Sequence, residues 1–589
     1  MTIITISILT SLLACKNSKV PTCEPRDTIV PTTDFFTDIS DASGIRVDNF
    51  YENPPEGTVI NDHSRLAFAD INGDGFDDMV MHSLFPNASN GVPFEHLVFL
   101  NNGDGTFTDH SDASGLRDVQ AAFFAFADVD NDGDQDLYAG LDLSGYQNHR
   151  SAIYLNDGSG GFGVLDNAGV EESSSIAANA LFGDFNGDGI LDLFVGNGGT
   201  SYAYRDFFYL GNGDGTFDAR NASLAAPSDQ PSNGSTACDY DNDGDLDIFV
   251  ATYGVSVENG HNALWENDGN ANFTNVAEER GFHALATGNY YQSSTGYGID
   301  PEPDTASSNY MGSNGFGIDC GDINNDGYLD ILMSTISHPS NSDYSRKWSD
   351  PTQLLINQGP DGDYGFINEF QERELPFNEG DVDAALVDFD NDGRFDISLS
   401  RDKKYENNYD DIDQKAWFGL MHQQPDGTFA SLGPDSGIND IENEEMRRMK
   451  NAQNHAWSDI DRDGDLDLLV GGRDTGGGRP NFLFRNDIGS QNRWMAFELV
   501  GDGDTINSDA IGARVTVNFD NESIIREKKS SRGMYNSEDT RALHFGIGDR
   551  GCATSIEVRW PNGETFSLDM ESVTEESYVR VEYPDIVGQ

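Results

Sequence analysis

The sequence predicts an all-β chain: a seven-bladed β-propeller followed by a C-terminal β-sandwich. Three observations predict it. A nine-residue acidic pattern, D-x-[DN]-x-D-G-x-x-D, returns seven times, starting at Asp70, Asp128, Asp184, Asp239, Asp322, Asp388 and Asp459. Each copy runs into a short apolar stretch of strand formers, such as Met79-Val80-Met81, Leu193-Phe194-Val195 or Leu468-Leu469-Val470. About twenty residues later an Asn-Gly or Asp-Gly turn sits between an apolar residue and an aromatic one, as in residues 99–107, 154–162 and 209–217. Successive starts are 58, 56, 55, 83, 66 and 71 residues apart, a repeat period. Taking away the loop leaves roughly fifty residues, enough for four short strands and their turns, which is one blade.

Composition narrows the functional classes. The chain has 589 residues, 35 Lys plus Arg against 102 Asp plus Glu, and a formal charge of −67. Binding to nucleic-acid phosphates needs clustered cations, so no nucleic-acid partner is expected. The apolar fraction of 37 % and the 36 Phe supply a large core despite the charge. Five Cys make no disulfide scaffold. Cys23 and Cys552 carry no pairing signal, and Cys238 and Cys320, just before acidic loops, read as small buried residues.

Residues 3–13 are apolar but too short to span a bilayer. They end in Leu12-Leu13-Ala14-Cys15, which resembles a bacterial lipobox. That resemblance implies a signal peptide over 1–14, a lipid on Cys15 and a polar, Pro-bearing tether over 15–33. One departure is that the first seven residues hold no Lys or Arg, which points to a translation start upstream of Met1. The expected location is the bacterial outer membrane or cell surface, with a lipid anchor as the only membrane contact.

The propeller is expected over 34–487. Its last hairpin, at Phe482-Leu-Phe-Arg-Asn486, lacks a return strand. Phe36-Thr-Asp-Ile-Ser-Asp-Ala-Ser-Gly-Ile45 copies the return strand Phe107-Thr-Asp-His-Ser-Asp-Ala-Ser-Gly-Leu116 almost residue for residue. The N-terminal strand should therefore complete the seventh blade and leave no open sheet edge.

In the acidic loops, side chains at positions 1, 3, 5 and 9 can converge on one cation with the carbonyl of position 7. The expected ligands of the first loop are Asp70, Asn72, Asp74, Asp78 and the carbonyl of Phe76. For the second they are Asp128, Asp130, Asp132, Asp136 and Asp134, and for the third Asp184, Asn186, Asp188, Asp192 and Ile190. The fourth has Asp239, Asp241, Asp243, Asp247 and Asp245, and the fifth Asp322, Asn324, Asp326, Asp330 and Tyr328. The sixth has Asp388, Asp390, Asp392, Asp396 and Arg394, and the seventh Asp459, Asp461, Asp463, Asp467 and Asp465. Position 6 is Gly in every copy, where the chain must turn sharply. Six to eight oxygens suit calcium, whereas magnesium keeps its waters. An EF-hand needs Glu at position 12; here that position is Met81, Ala139, Val195, Val250, Met333, Leu399 or Val470, each in an apolar strand. Up to seven calcium ions are expected.

Beyond 488 the acidic loops stop. Alternation at Met495-Phe497-Leu499, Ala513-Val515-Val517 and Ile556-Val558-Trp560 reads as strands, with a turn at Pro561-Asn562-Gly563. Residues 488–589 are expected as the sandwich.

The repeats resemble FG-GAP/VCBS repeats, the calcium-loop blades of integrin α-chain propellers. Asp509-Ala-Ile-Gly-Ala-Arg-Val515, Leu543-His-Phe-Gly-Ile-Gly548 and Val558-Arg-Trp-Pro-Asn-Gly563 resemble the ASPIC/UnbV domain. Together they resemble the cartilage acidic protein family in a bacterial form. The resemblance implies an exported calcium-binding protein for adhesion or extracellular binding, and with no catalytic constellation recognised a non-enzymatic role is expected. Arg514 and Arg559, the basic positions of the C-terminal motif, read as structural ion pairs.

No Gly-x-Ser-x-Gly, His-Glu-x-x-His or phosphate-binding Gly-Lys-Ser/Thr motif occurs. His455, near Trp457, reads as a packed strand residue. An insertion over roughly 283–313 carries Tyr290, Tyr291, Tyr297 and Tyr310, which suit sugar stacking; a variable surface loop is the plainer reading. Arg447, Arg448 and Lys450 form a basic island that could hold a carboxylate or sulfate, or serve as counter-charge to nearby acids. The expected partner is an extracellular polymer or protein, carbohydrate included. The alternative is an extracellular polysaccharide lyase or hydrolase with its site in the propeller funnel.

Overall fold

The computed structural model describes Cys23, Asn378 and residues 25–45, 65–84, 95–141, 150–171, 177–198, 206–220, 231–253, 261–283, 314–336, 352–376, 380–401, 417–433, 435–438, 452–472, 481–534, 536–570, 573–584 and 586–588. Cys15, the four insertion tyrosines and the basic island at 447–450 lie outside them.

Each apolar run becomes the second strand of a four-stranded antiparallel sheet. In the first sheet Leu66–Ala69, Asp78–Leu84, Glu95–Asn101 and Phe107–Asp109 lie in chain order. Leu66 stands opposite Met81, Met79 opposite Phe99, and Asn101 opposite Phe107. Five more sheets repeat this order, beginning at Phe123–Ala127, Ala177–Gly183, Ser232–Cys238, Gly315–Gly321 and Asp381–Val387. A seventh consists of Ala452–Ser458, Asp467–Gly472, Asn481–Asn486 and, from the other end of the chain, Phe36–Asp38, with Phe36 opposite Asn486.

Strand alternation decides what each face covers. In the first sheet Met79, Met81 and Phe99 pack with Ala456, Leu469 and Leu483 of the seventh. Val80 and Val98 point the other way, onto Phe124, Phe126 and Leu137 of the second. The first strand of every sheet packs against the first strand of the next, and that of the seventh packs against that of the first.

The C-terminal unit has two four-stranded sheets. One holds Leu543–Gly546, Trp494–Val500, Tyr578–Glu582 and Ile586–Gly588; the other holds Ser523–Glu527, Arg514–Asn518, Ser555–Arg559 and Thr565–Ser567. Phe497, Leu499, Phe545 and Val581 from the first and Val515, Val517, Val558 and Ile524 from the second share one core. Trp494–Val500 and Tyr578–Glu582 run parallel.

Residues 529–534 and 536–541 leave this unit and reach the first strand of all seven repeat sheets. The Glu538 carbonyl accepts from Phe68 N–H, and its carboxylate accepts from Phe126 N–H at 2.8 Å. Asn536 exchanges bonds with the Ala180 backbone. Gly533 and Met534 pair with Ser235 and Gly234 as a fifth strand. Lys529 binds Asp319 and donates to the Cys320 carbonyl. Arg532 donates to Asp383, the Ala384 carbonyl, the His455 carbonyl and Asp539. Trp457 N–H donates to Asp539. Nothing in the sequence pattern announced this segment.

The cysteines depart from expectation. Cys23 and Cys552, read as carrying no signal, form a disulfide with Cα atoms 5.8 Å apart. A separation of 529 residues hides such a pair from any spacing rule. Cys238 and Cys320 are free and buried, as expected. Residues 25–33, read as part of a free tether, lie on the C-terminal unit: Ile29 exchanges backbone hydrogen bonds with the Asn492 side chain, and Arg26 pairs with Glu576. A polar, Pro-bearing stretch looks the same in sequence whether it is free or clamped. Among the described residues no helix is long and apolar enough to cross a membrane.

Candidate metal centres

All seven acidic loops occupy the same place, the turn between the first and second strands of a sheet. Position 9 is the first residue of the second strand every time, at Asp78, Asp136, Asp192, Asp247, Asp330, Asp396 and Asp467. Position 6 glycine has a φ between 83° and 103° in all copies, the left-handed region that the turn requires. Within the loop, position 1 accepts backbone donors: Asp70 takes Asp74 N–H at 3.1 Å and Gly75 N–H at 2.8 Å. Position 9 ties the loop to the sheet. Its carboxylate accepts an N–H from the third strand in every copy, from Asn101, Asn156, Gly211, Asn267, Asn357, Gln423 and Asn486.

The same third-strand amides reach to the preceding sheet. Asn156 donates its side-chain amide to the Ile71 carbonyl, in position 2 of the previous loop. Asn267, Asn357, Gln423 and Asn486 do likewise to Phe185, Tyr240, Ile323 and Phe389. Asn101 of the first sheet closes on Ile460 of the seventh loop at 2.8 Å. In sequence these residues read only as part of the hairpin turns; the signal was an Asn or Gln two residues after an apolar residue at the end of the third strand in six of the seven sheets.

Carboxylates converge as cation sites require. In the second, fourth, sixth and seventh loops three carboxylate oxygens lie within 4.8 Å of one another, from Asp128, Asp130 and Asp136; Asp239, Asp241 and Asp243; Asp388, Asp390 and Asp396; and Asp459, Asp461 and Asp467. The first, third and fifth carry Asn at position 3, where Asn72, Asn186 and Asn324 accept the position 5 N–H. Burial, with repulsion from neighbouring acids, pushes Asp78, Asp136 and Asp192 up to about 8 and Asp128 and Asp459 to about 7. Buried oxygens of Asp130, Asp239, Asp247, Asp388, Asp396 and Asp465 have no hydrogen-bond partner. Orphaned, mutually repelling oxygens in an all-oxygen donor set fit a hard divalent cation. These several Asp-rich clusters could hold metal ions, with calcium the best match.

The sixth loop differs from the others. His422 brings Nε2 to 3.1 Å from Asp390 and 3.5 Å from Asp392. Burial opposes a charge on His422, but the two aspartates outweigh it and its pKa stands at about 11. Arg394, expected to offer only its carbonyl, turns its side chain onto Asp392.

The C-terminal unit sits on the loops. Asp509 accepts from Asp128 N–H, Arg559 binds the Asp239 carboxylate, Gly546 N–H donates to Asp388, and the Tyr578 hydroxyl donates to Asp459 at 2.7 Å. Four position 1 residues are thus touched from outside their own sheets. Arg514 pairs with Glu527 at 2.7 Å, so both motif arginines make structural ion pairs as expected. His455 is fully buried in its strand between Ser398, Ser400 and Asp383. A cavity of about 230 Å³ lies between the first, second and seventh loops and the C-terminal unit, lined in part by Asp70, Asp128, Arg462, Lys528 and Tyr578.

A model of the FG-GAP-like repeat matches residues 95–139, 141–195 and 184–250, and a model of ASPIC and UnbV matches 503–585. Cartilage acidic protein 1 of Xenopus tropicalis is 24 % identical over 528 residues, covering 78 % of this chain and 73 % of its own. Its Mus musculus counterpart is 24 % identical over 337 residues, covering 56 % of this chain; the chain spans only 42 % of that relative's length. Among solved structures, the exotype rhamnogalacturonan lyase YesX aligns at 12 % identity and a TM-score of 0.34 over 74 % of each chain, too weak a likeness to carry an argument. The disulfide is consistent with an extracellular protein. The chain carries FG-GAP-like repeats followed by a C-terminal ASPIC/UnbV domain, and it is distantly similar to cartilage acidic protein 1.

Proposed function

We propose that this is an exported calcium-binding propeller protein that works by extracellular binding or adhesion, tethered at the bacterial cell surface by a lipid on Cys15. The observation that carries the reading is the common build of the seven acidic loops. Each is locked to its own sheet through position 9, and four are contacted at position 1 by the C-terminal unit. A divalent cation in these loops, calcium above all, then staples each blade, and in those four loops the joint with that unit as well. Cyclic packing of the first strands, the Phe36–Asn486 pairing and the Asn101–Ile460 bond support a closed seven-bladed ring.

Binding to a polymer or protein ligand is preferred over catalysis in the funnel because residues 529–534 and 536–541 stand among the seven first strands, where such a site would lie. The test is a glycan and matrix-polymer array run with calcium and with chelator, with released products measured alongside. Calcium-dependent retention without turnover supports the reading. Release of oligosaccharides, abolished by chelation, would replace it with a polysaccharide lyase or hydrolase.

A further inference from the structure

The strand position next to the loop-gripping amide carries the distinguishing feature. In register terms it is the residue just before the one opposite the hairpin aromatic. It is Leu100, Leu155, Leu210, Glu266, Ile356, His422 and Arg485 in the seven sheets. Only the sixth sheet puts an imidazole there. His422 is 5 % exposed, Asp390 1 %, Asp388 3 % and Asp396 0 %. Asp388 Oδ1 and Asp396 Oδ2 are buried without a hydrogen-bond partner, and His422 Nε2 faces Asp390 Oδ2 at 3.1 Å. Ligand atoms of Asp390, Asp392 and His422 lie within 4.8 Å of one another, as do those of Asp388, Asp390 and Asp396. A nitrogen donor is therefore aimed into a ring of carboxylates from outside the loop.

We infer that the sixth loop is a transition-metal site, taking a first-row dication in the Mn²⁺ to Zn²⁺ range through His422 Nε2 and the aspartates, and not a calcium site like its neighbours. Calcium selects oxygen, whereas imidazole joined to carboxylates favours the first-row ions. The Gln424 side-chain amide lies 3.0 Å from Nδ1. A metal binding there displaces the proton from Nε2 to solvent, and it competes with Arg394 for Asp392. The inference rests on the reading that these loops take divalent cations.

The test uses the full chain, stripped by chelator and returned to excess calcium with one equivalent of Mn²⁺. About one Mn²⁺ per chain should stay bound, and pulsed electron paramagnetic resonance should detect an imidazole nitrogen coupled to it. His422→Leu, which installs the residue found at this register in the first three sheets, should lose both signals and leave calcium at the other loops. Mn²⁺ displaced fully by calcium, or bound with no nitrogen coupling, or coupled unchanged in His422→Leu, overturns the inference. An ion-free sixth loop, with His422 as its internal counter-charge, overturns it too while leaving the calcium reading intact. Failure of every loop to bind any divalent ion overturns both.

Discussion

Arg532→Met tests how far the C-terminal unit is part of the repeat region. Arg532 is 2 % exposed, and Asp383, its partner, is fully buried. Burial alone would raise Asp383, but Arg532, with His455 beside it, holds its carboxyl below the usual range. Methionine fills most of the volume and strands that charge, which costs about 3–5 kcal/mol for a broken buried pair. Unfolding entropy is roughly 2.1 cal/mol/K per residue, so a 589-residue chain melting as one unit gives about 1.2 kcal/mol/K. The melting temperature should then fall by about 2–4 °C in one transition. If the C-terminal unit melted by itself, about a hundred residues would carry the loss and its own transition would fall by about 15–25 °C. Differential scanning calorimetry separates the two. The account expects the single small shift, and expects Arg532→Met with Asp383→Asn to cost less than Arg532→Met alone. No shift, or a separate C-terminal transition with the repeat region unmoved, refutes the reasoning.

Further predictions concern the loops and the bridge. Asp78, Asp136 and Asp192 at position 9 have folded pKa values of about 8, and Asp128 at position 1 about 7, against 3.8 unfolded. The metal-free folded state therefore holds extra protons between about pH 4 and 8, and its stability falls as pH rises through that window. Scans in chelator should show a higher melting temperature at pH 5 than at pH 8, and calcium should reverse the order; a flat profile in chelator contradicts this. Asn486→Ala removes the bond to the Phe389 carbonyl as well as one to Leu466, and should cost about 1–3 kcal/mol in denaturant unfolding. Cys23→Ser should leave the fold in place and make the melting temperature insensitive to reductant, whereas the parent chain should lose stability on reduction.

Repetition made the sheets legible. Seven in-phase Asp and Gly positions, with apolar runs behind them, fixed where each second strand starts, and the sixth-position glycines have the backbone they were read for. The likeness of residues 36–45 to 107–116 located the partner of Asn481–Asn486. What stayed hidden was long-range and non-repeating. The Cys23–Cys552 bridge joins opposite ends of the chain, so no local pattern records it. The segment from 529 to 541 drew no reading because a buried polar segment and a solvated one have the same composition; Arg532 and Glu538, buried among the repeat sheets, tell them apart. His422 lay inside a hairpin strand, thirty residues beyond Asp392, and is brought to it only by the pairing of Asp396–Arg401 with Phe418–Gln423.

Whether divalent ions belong to the framework is decided most directly by weighing the folded chain. Native mass spectrometry of protein equilibrated in millimolar calcium should show several tightly retained ions, with chelation stripping them and lowering the melting temperature by many degrees. A bare chain mass under those conditions, together with a melting temperature that ignores chelator, contradicts the account at its root.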